Sequence, residues 1–166
     1  LEMQERDRFI EPGMIVVDLG CAPGSWSQVA KNLVGDKGSV FATDILPMAP
    51  ISGVNFIQGD FTEEAVFDDL IEKVQDEPVD LVISDMAPNI TGIVEIDQPE
   101  SMHLAELALD FARSILGEGA YFLVKVFEGE GISEFKQSLV SEFEKVKVRK
   151  PKASRSRSRE MYLLAE

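Results

Sequence analysis

Apolar positions along the chain follow two alternating rhythms. Short β-branched runs predict strands at Ile15–Leu19, 39–43, Val54–Gln58 and Val79–Ser84. The first ends at Gly20, and the last is nearly all apolar, as expected when both faces of a strand are buried. Between them lie segments of helical spacing. Ser25–Val34 reads as a helix stopped by Gly35, and Thr62 is placed to cap a helix whose apolar face is Val66, Leu70 and Val74. Leu104, Leu107, Ala108, Phe111, Ile115 and Leu116 predict a longer helix ending at Gly117. A fifth, strongly apolar strand covers 121–127, and Phe135, Leu139 and Phe143 mark another helix. Val146-Lys147-Val148 and 160–164 close the chain as a hairpin with a long connection, since hairpin loops usually run ~2–5 residues.

Strand–helix alternation implies βαβ units, right-handed crossovers and a mainly parallel sheet with helices on both faces. With no internal repeat and no interdomain linker, residues 1–166 are expected to form one doubly wound α/β domain.

Composition narrows the class. A hydrophobic content of 45% argues for a packed globule and against a disordered chain. A single Cys excludes a disulfide framework and a Cys-rich zinc site, and fits a reducing, cytoplasmic setting; no metal is expected. No apolar stretch approaches the ~18 residues of a membrane span, and no signal-peptide pattern opens the chain. No membrane partner and no obligate protein partner are expected, and a monomer is the default.

The net charge of −14 argues by itself against a nucleic-acid partner. Its distribution argues otherwise. Eight of the 16 basic residues fall between Lys145 and Arg159, with no acid among them. Such runs are often solvated tails, but the strand-like 160–164 follows at once, so this run reads as a loop on a folded body. Lys147, Arg149, Lys150, Lys152, Arg155, Arg157 and Arg159 are therefore candidate phosphate contacts.

Ligands in doubly wound sheets sit beyond the carboxyl ends of the strands. Four successive strand-like runs are followed there by Gly20-Cys21-Ala22-Pro23-Gly24, Asp44, Asp60 and Asp85. One such acid is usually a turn or cap residue. Three at equivalent edges point to a pocket. The glycine turn lacks the second glycine that lets a backbone approach a pyrophosphate, while Asp44 suits a ribose diol. Clustered carboxylates would repel an anionic dinucleotide and favour S-adenosylmethionine, with its hydroxyls, amino groups and sulfonium, over NAD. Trp26 in the glycine turn is expected to wall this pocket, and Cys21 to be a small loop residue.

Lys125 interrupts an apolar strand, where an unpaired ammonium is costly. It reads either as an edge or snorkelling lysine or as the partner of Asp85 on the neighbouring strand end, available as base or orienting group. The 84–89 loop resembles the Asn/Asp-Pro-Pro-aromatic loop of base-amino methyltransferases. Asn89 and Ile90 stand where an aromatic platform would be, so a sugar hydroxyl is the better target. His103 reads as a surface or capping residue at a polar helix start.

These residues resemble one family, the FtsJ-type ribosomal RNA 2'-O-ribose methyltransferases of bacteria. The matching stretches are Pro12-Gly13-Met14, 17–28, Asp44-Ile45-Leu46-Pro47-Met48 and Gln58-Gly59-Asp60-Phe61, then 84–89, Val124-Lys125-Val126-Phe127, 146–151 and Ser158-Arg159-Glu160. The likeness runs in one order from about Phe9 to the end. It implies a Rossmann-like fold of seven strands with the terminal hairpin as the sixth and seventh. It implies S-adenosylmethionine as methyl donor and a uridine 2'-hydroxyl of 23S ribosomal RNA in the large subunit as acceptor. Cofactor contacts carry over to Gly24, Trp26, Asp44, Asp60 and Asp85. The family's Lys-Asp-Lys-Glu group carries over as Asp85, Lys125 and Glu160, its first lysine being expected in a basic extension ahead of Leu1. A non-catalytic RNA-binding assembly factor and an NAD-dependent oxidoreductase are the alternatives.

Overall fold

The computed structural model describes residues 2–74, 77–151 and 159–166. Its centre is a seven-stranded sheet of order β3-β2-β1-β4-β5-β7-β6. The strands are β1 (Ile15–Leu19), β2 (Ser39–Asp44), β3 (Val54–Gln58), β4 (Val79–Ser84), β5 (Leu116–Phe127), β6 (Val146–Arg149) and β7 (Glu160–Ala165). The first five pair in parallel, and β7 inserts antiparallel between β5 and β6. The expected α/β class and terminal hairpin are present. Residues 152–158 of the hairpin connection lie outside the described residues.

Each sheet face buries a separate apolar layer. Val17, Leu19, Val82, Phe122 and Val124 face α3 (Glu64–Val74), α4 (Val94–Ile115) and α5 (Ile132–Glu142), through side chains such as Leu70, Phe111 and Leu139. Alternate residues Val16, Val40, Leu81, Ile83 and Leu123 face α1 (Glu2–Asp7) and α2 (Ser25–Val34), through Met3, Ala30 and Val34. Burial of such side chains contributes roughly 1.5–3 kcal/mol each. The period-two alternation therefore fixes which residues point to which helical layer.

Five local expectations are corrected. The helix ending near Gly117 starts at Val94, well before Leu104, and continues through Pro99. His103 consequently lies inside α4 on its exposed side, not at a helix start. Gly117 belongs to β5, where a Cβ would meet the Pro78 side chain at 2.9 Å. Thr62 lies two residues ahead of α3, and its hydroxyl donates to Asp60 Oδ1 (2.6 Å) in the turn before the helix. Phe143 falls one residue past α5, with its ring stacked on Phe122. Finally, α1 has only six residues, too short to leave a periodic signal.

Candidate active site

The carboxyl ends of β1, β2 and β4 meet around a cleft of about 320 Å³. Close approach of the first and last loops requires Gly20. It sits at φ +75°, and an added Cβ would lie 2.6 Å from Met86 Cγ. The Gly20 and Cys21 N–H groups donate to the Thr43 carbonyl, which ties the glycine turn to the end of β2. Asp85 is anchored by its own N–H, which donates to the Leu19 carbonyl.

The acids take different local roles. Asp44 receives the Ala22 N–H on Oδ2 and the Leu46 N–H on Oδ1, both at 2.9 Å. It thus joins two loops and retains acceptor capacity on both oxygens. Asp60 Oδ1 accepts the Thr62 N–H and hydroxyl. Asp44, Asp60 and Asp85 all line the cleft, together with the apolar surfaces of Ile45, Phe61, Met86 and Leu104. Thr43 also lines it, and its buried hydroxyl oxygen has no hydrogen-bond partner among the described residues.

Gly24 and Trp26 stand elsewhere. Gly24 begins α2 at φ +117°, against Met48 and Ile51. Trp26 packs in the α2-side layer, its ring 6.3 Å from that of Phe9. Neither lines the cleft. Cys21 is buried, and burial followed by the charges of Asp18 and Asp44 pushes its thiol up to about 12. It therefore stays a thiol at neutral pH, with little of the reactive thiolate form.

Asp85 belongs to a second cluster as well. Lys125 Nζ lies 3.4 Å from Asp85 Oδ1 and 3.5 Å from Glu160 Oε1. The parallel β4–β5 register, Ser84 beside Val124, brings residues 85 and 125 together. The antiparallel β5–β7 register, Phe127 opposite Glu160, brings in the second acid. The Lys125 side chain is only 15% exposed, against 26% for that of Asp85 and 29% for that of Glu160. Buried charge needs such partners. The paired reading of Lys125 is the one the geometry supports.

Two functional candidates escaped the sequence reading. Tyr162 lies directly across from Lys125 and donates its hydroxyl to Asp85 Oδ1 at 2.9 Å. Burial, and then the negative charge of Asp85, pushes its ionisation upward, so it remains a donor. Its alternation with Glu160 along β7 was the available signal. Asp18, inside β1, is fully buried and receives the Ser27 hydroxyl at 2.6 Å, while its Oδ1 is unpartnered among the described residues. Burial raises this carboxyl to about 7, opposed by the Ser27 bond.

The cationic hairpin is less free than its charge run suggests. Arg149 donates from Nε and Nη2 to the two oxygens of Asp7, each at 2.8 Å, and Lys147 Nζ lies 3.6 Å from the same carboxylate. Asp7 is 4% exposed in its side chain, and the Arg149 hydrogen bonds hold its carboxyl below the usual range. Lys150 donates to the Glu160 carbonyl, and Arg159 to the Glu128 carbonyl. Lys152, Arg155 and Arg157 lie outside the described residues. Among the described residues no group of three or more His, Cys, Asp or Glu could hold a metal ion. Nor, among the described residues, is any helix long and apolar enough to cross a membrane.

Comparison with known proteins gives a consistent set. The profile of FtsJ-like methyltransferases matches residues 1–166. "Ribosomal RNA large subunit methyltransferase E" of Alkalilimnicola ehrlichii is 61% identical over 165 residues, covering 99% of this chain and 79% of that protein. Its namesake in Pseudomonas aeruginosa is 56% identical, covering 99% and 80%. Among solved structures, a ribosomal RNA methyltransferase of Plasmodium falciparum superposes with a TM-score of 0.86 at 30% identity, over 99% of this chain and 92% of that one. Human methyltransferase-like protein 13, in complex with SAH, shares the fold alone, with a TM-score of 0.67 at 15% identity over 93% and 72%.

Proposed function

The chain belongs to the FtsJ-like methyltransferase family, and from that premise we propose that it methylates the 2'-hydroxyl of a uridine in 23S ribosomal RNA of the large subunit. The methyl donor is S-adenosylmethionine. The observation that carries the reading is Asp85, shared between the acidic cleft and the Lys125–Glu160 pair. It joins a donor pocket to a charged group able to manage a hydroxyl.

The residues present fit the donor. Asp44 retains lone pairs for a ribose diol, Asp60 is an acceptor for an exocyclic amine, and the Thr43 hydroxyl awaits a partner. Ile45, Phe61, Met86 and Leu104 offer apolar walls for a planar base. A carboxylate-rich pocket also favours a cationic sulfonium over a pyrophosphate. Gly24 and Trp26 would contribute from α2, outside the cleft wall. When bound, the sulfonium supplies an already activated methyl group, so the chain's task is mainly positioning.

Lys125 is the positioning group for the acceptor. Its ammonium has three N–H donors. Asp85 and Glu160 flank it on two sides, which leaves donor capacity for a ribose oxygen. Tyr162 holds Asp85 from across the strand pair. As the hydroxyl oxygen takes the methyl group and the donor leaves as the neutral thioether, the hydroxyl proton passes to a carboxylate oxygen of Asp85 or Glu160, and the Lys125 ammonium stabilises the negative charge developing on the oxygen. The 84–89 loop carries no aromatic platform for a flipped base, which favours ribose over base as target.

Support for the RNA partner comes from the named relatives and from the basic run around 145–159. We place the activity in the cytoplasm and in one catalytic domain, since a single sheet spans the chain. Transfer of labelled methyl from S-adenosylmethionine to deproteinised ribosomal RNA, compared with intact large subunits, tests the reading. Label in either substrate, with the unlabelled cofactor and not NAD binding in titration, supports it. Label in neither, with RNA still bound, returns the assembly-factor alternative.

A further inference from the structure

The first turns of α4 contact all three segments that carry the charged cluster. Asp97 is buried and accepts the Thr91 N–H and hydroxyl on Oδ1 and the Gly92 N–H on Oδ2, at 2.8–3.0 Å. These bonds gather the loop that follows Asp85. Gln98 is 3% exposed, and its Nε2 donates to the carbonyls of Phe127 (2.9 Å) and Glu130 (3.1 Å). The first lies at the end of the strand carrying Lys125 and the second in the turn that follows it. Gly129 accommodates the amide closely: it sits at φ +148°, and a Cβ there would lie 3.0 Å from Gln98 Cδ. On the third segment, Arg159 Nη1 reaches Gln98 Oε1 at 3.5 Å and donates to the Glu128 carbonyl at 3.2 Å. The Glu128 N–H donates back to the Arg159 carbonyl, next to Glu160.

From this arrangement we infer that Gln98 is a positioning residue for methyl transfer, its carboxamide locking the 127–130 turn to Arg159 and so setting the spacing of Lys125 and Glu160. The inference rests on the methyl-transfer reading and extends it to a side chain that touches neither donor nor acceptor. A glutamine suits the role because it offers two N–H donors and an acceptor on one rigid plane. The two carbonyls take the donors and the guanidinium takes the acceptor. A glutamate would keep only the acceptor, and a methionine would keep only the volume. The same geometry assigns Arg159 to the cluster's frame, in addition to its place in the basic run.

The consequence is a loss of rate without a loss of binding. A displacement of ~1 Å at a reacting group costs on the order of 10²-fold in rate, so Gln98→Met should lower kcat at least about tenfold. KM for RNA and the dissociation constant for S-adenosylmethionine should stay within about threefold. Arg159→Gln should also lower kcat, by about threefold, on top of any change in the salt dependence of RNA binding that follows from its place in the basic run. A Gln98→Met protein that melts normally and turns over within about twofold of the parent overturns the inference. So does a defect confined to KM for RNA. Where Gln98→Met does not fold, Gln98→Glu is read by the same criteria, since it conserves shape and removes the donors. An inactive parent protein would instead count against the methyl-transfer reading itself.

Discussion

The acidic cleft and the cationic hairpin are both charged, yet they treat their charges differently. In the cleft, Asp44 and Asp60 are engaged by backbone or hydroxyl groups within 22 positions of themselves, and both keep acceptor capacity facing the cavity. In the hairpin, Arg149 is taken up by Asp7, 142 positions away. Lys147 leans on the same carboxylate. The acids at the strand ends line an open cleft, whereas two of the hairpin cations fasten α1 to the sheet edge. Net charge counted along the chain therefore overstates what this face offers to phosphate.

Breaking the junction between the two regions gives the largest effect. Lys125→Ala should reduce methyl transfer by at least about 10³-fold, at the upper part of the usual acid–base range, while S-adenosylmethionine binding measured by calorimetry stays nearly intact. Near-normal turnover would remove Lys125 from the chemistry. Next comes the cleft. Asp44→Ala removes a charged acceptor whose hydrogen bonds contribute about 1.5–3 kcal/mol, so cofactor affinity should fall roughly 10–100-fold. The same titration on Arg149→Ala should show no change.

A smaller effect separates buried from exposed acid. Asp18 has a folded-state value of about 7, above that of the unfolded chain. The native state thus keeps its proton while the unfolded state releases it, and stability contributed by the neutral carboxyl declines as pH rises from ~4 to 7. Asp18→Asn should remove that decline in melting temperature measured without cofactor. A parallel pH profile for parent and variant would contradict the assignment.

On the hairpin the sign reverses. Asp7 is held below its unfolded value by Arg149, so the pair stabilises above pH ~4 and that contribution is lost as acid protonates Asp7. Arg149→Ala should cost about 2 kcal/mol at neutral pH, less than a fully isolated buried charge because Lys147 remains nearby, and should show a shallower acid limb. Its effect on the salt dependence of RNA binding should be the smallest of all. Each lost phosphate contact lowers the log–log slope by roughly 0.7–0.9, and a latched Arg149 should leave it unchanged. Replacing Lys152, Arg155 and Arg157 together is expected to lower it.

The strands of the parallel half were legible because each is a dense apolar run, and the sheet's carboxyl edge then placed Asp44, Asp60 and Asp85 together. Lys125 was visible as the one cation in an apolar strand. The first half of α4 was not legible, since Ile93, Val94 and Ile96 are exposed and Pro99 interrupts a helical pattern. Gly117 and Gly119 likewise masked the start of β5. The residues missed at the site share one cause. Tyr162, Asp18 and Gln98 draw their roles from partners on other elements, through a β5–β7 register, an α2 hydroxyl and a turn 29 positions on. Spacing along the chain carries no record of such pairings. Trp26 was expected as a cleft wall from its place in the glycine turn; its ring packs near that of Phe9 and its side chain hydrogen-bonds Tyr162, contacts that spacing along the chain does not record.

Alkaline hydrolysis of labelled ribosomal RNA reads the position of the new methyl group directly. A 2'-O-methyl group blocks cleavage of the adjacent phosphodiester, so the label should appear in an alkali-stable dinucleotide beginning with uridine. Label recovered in mononucleotides as a methylated base would contradict it.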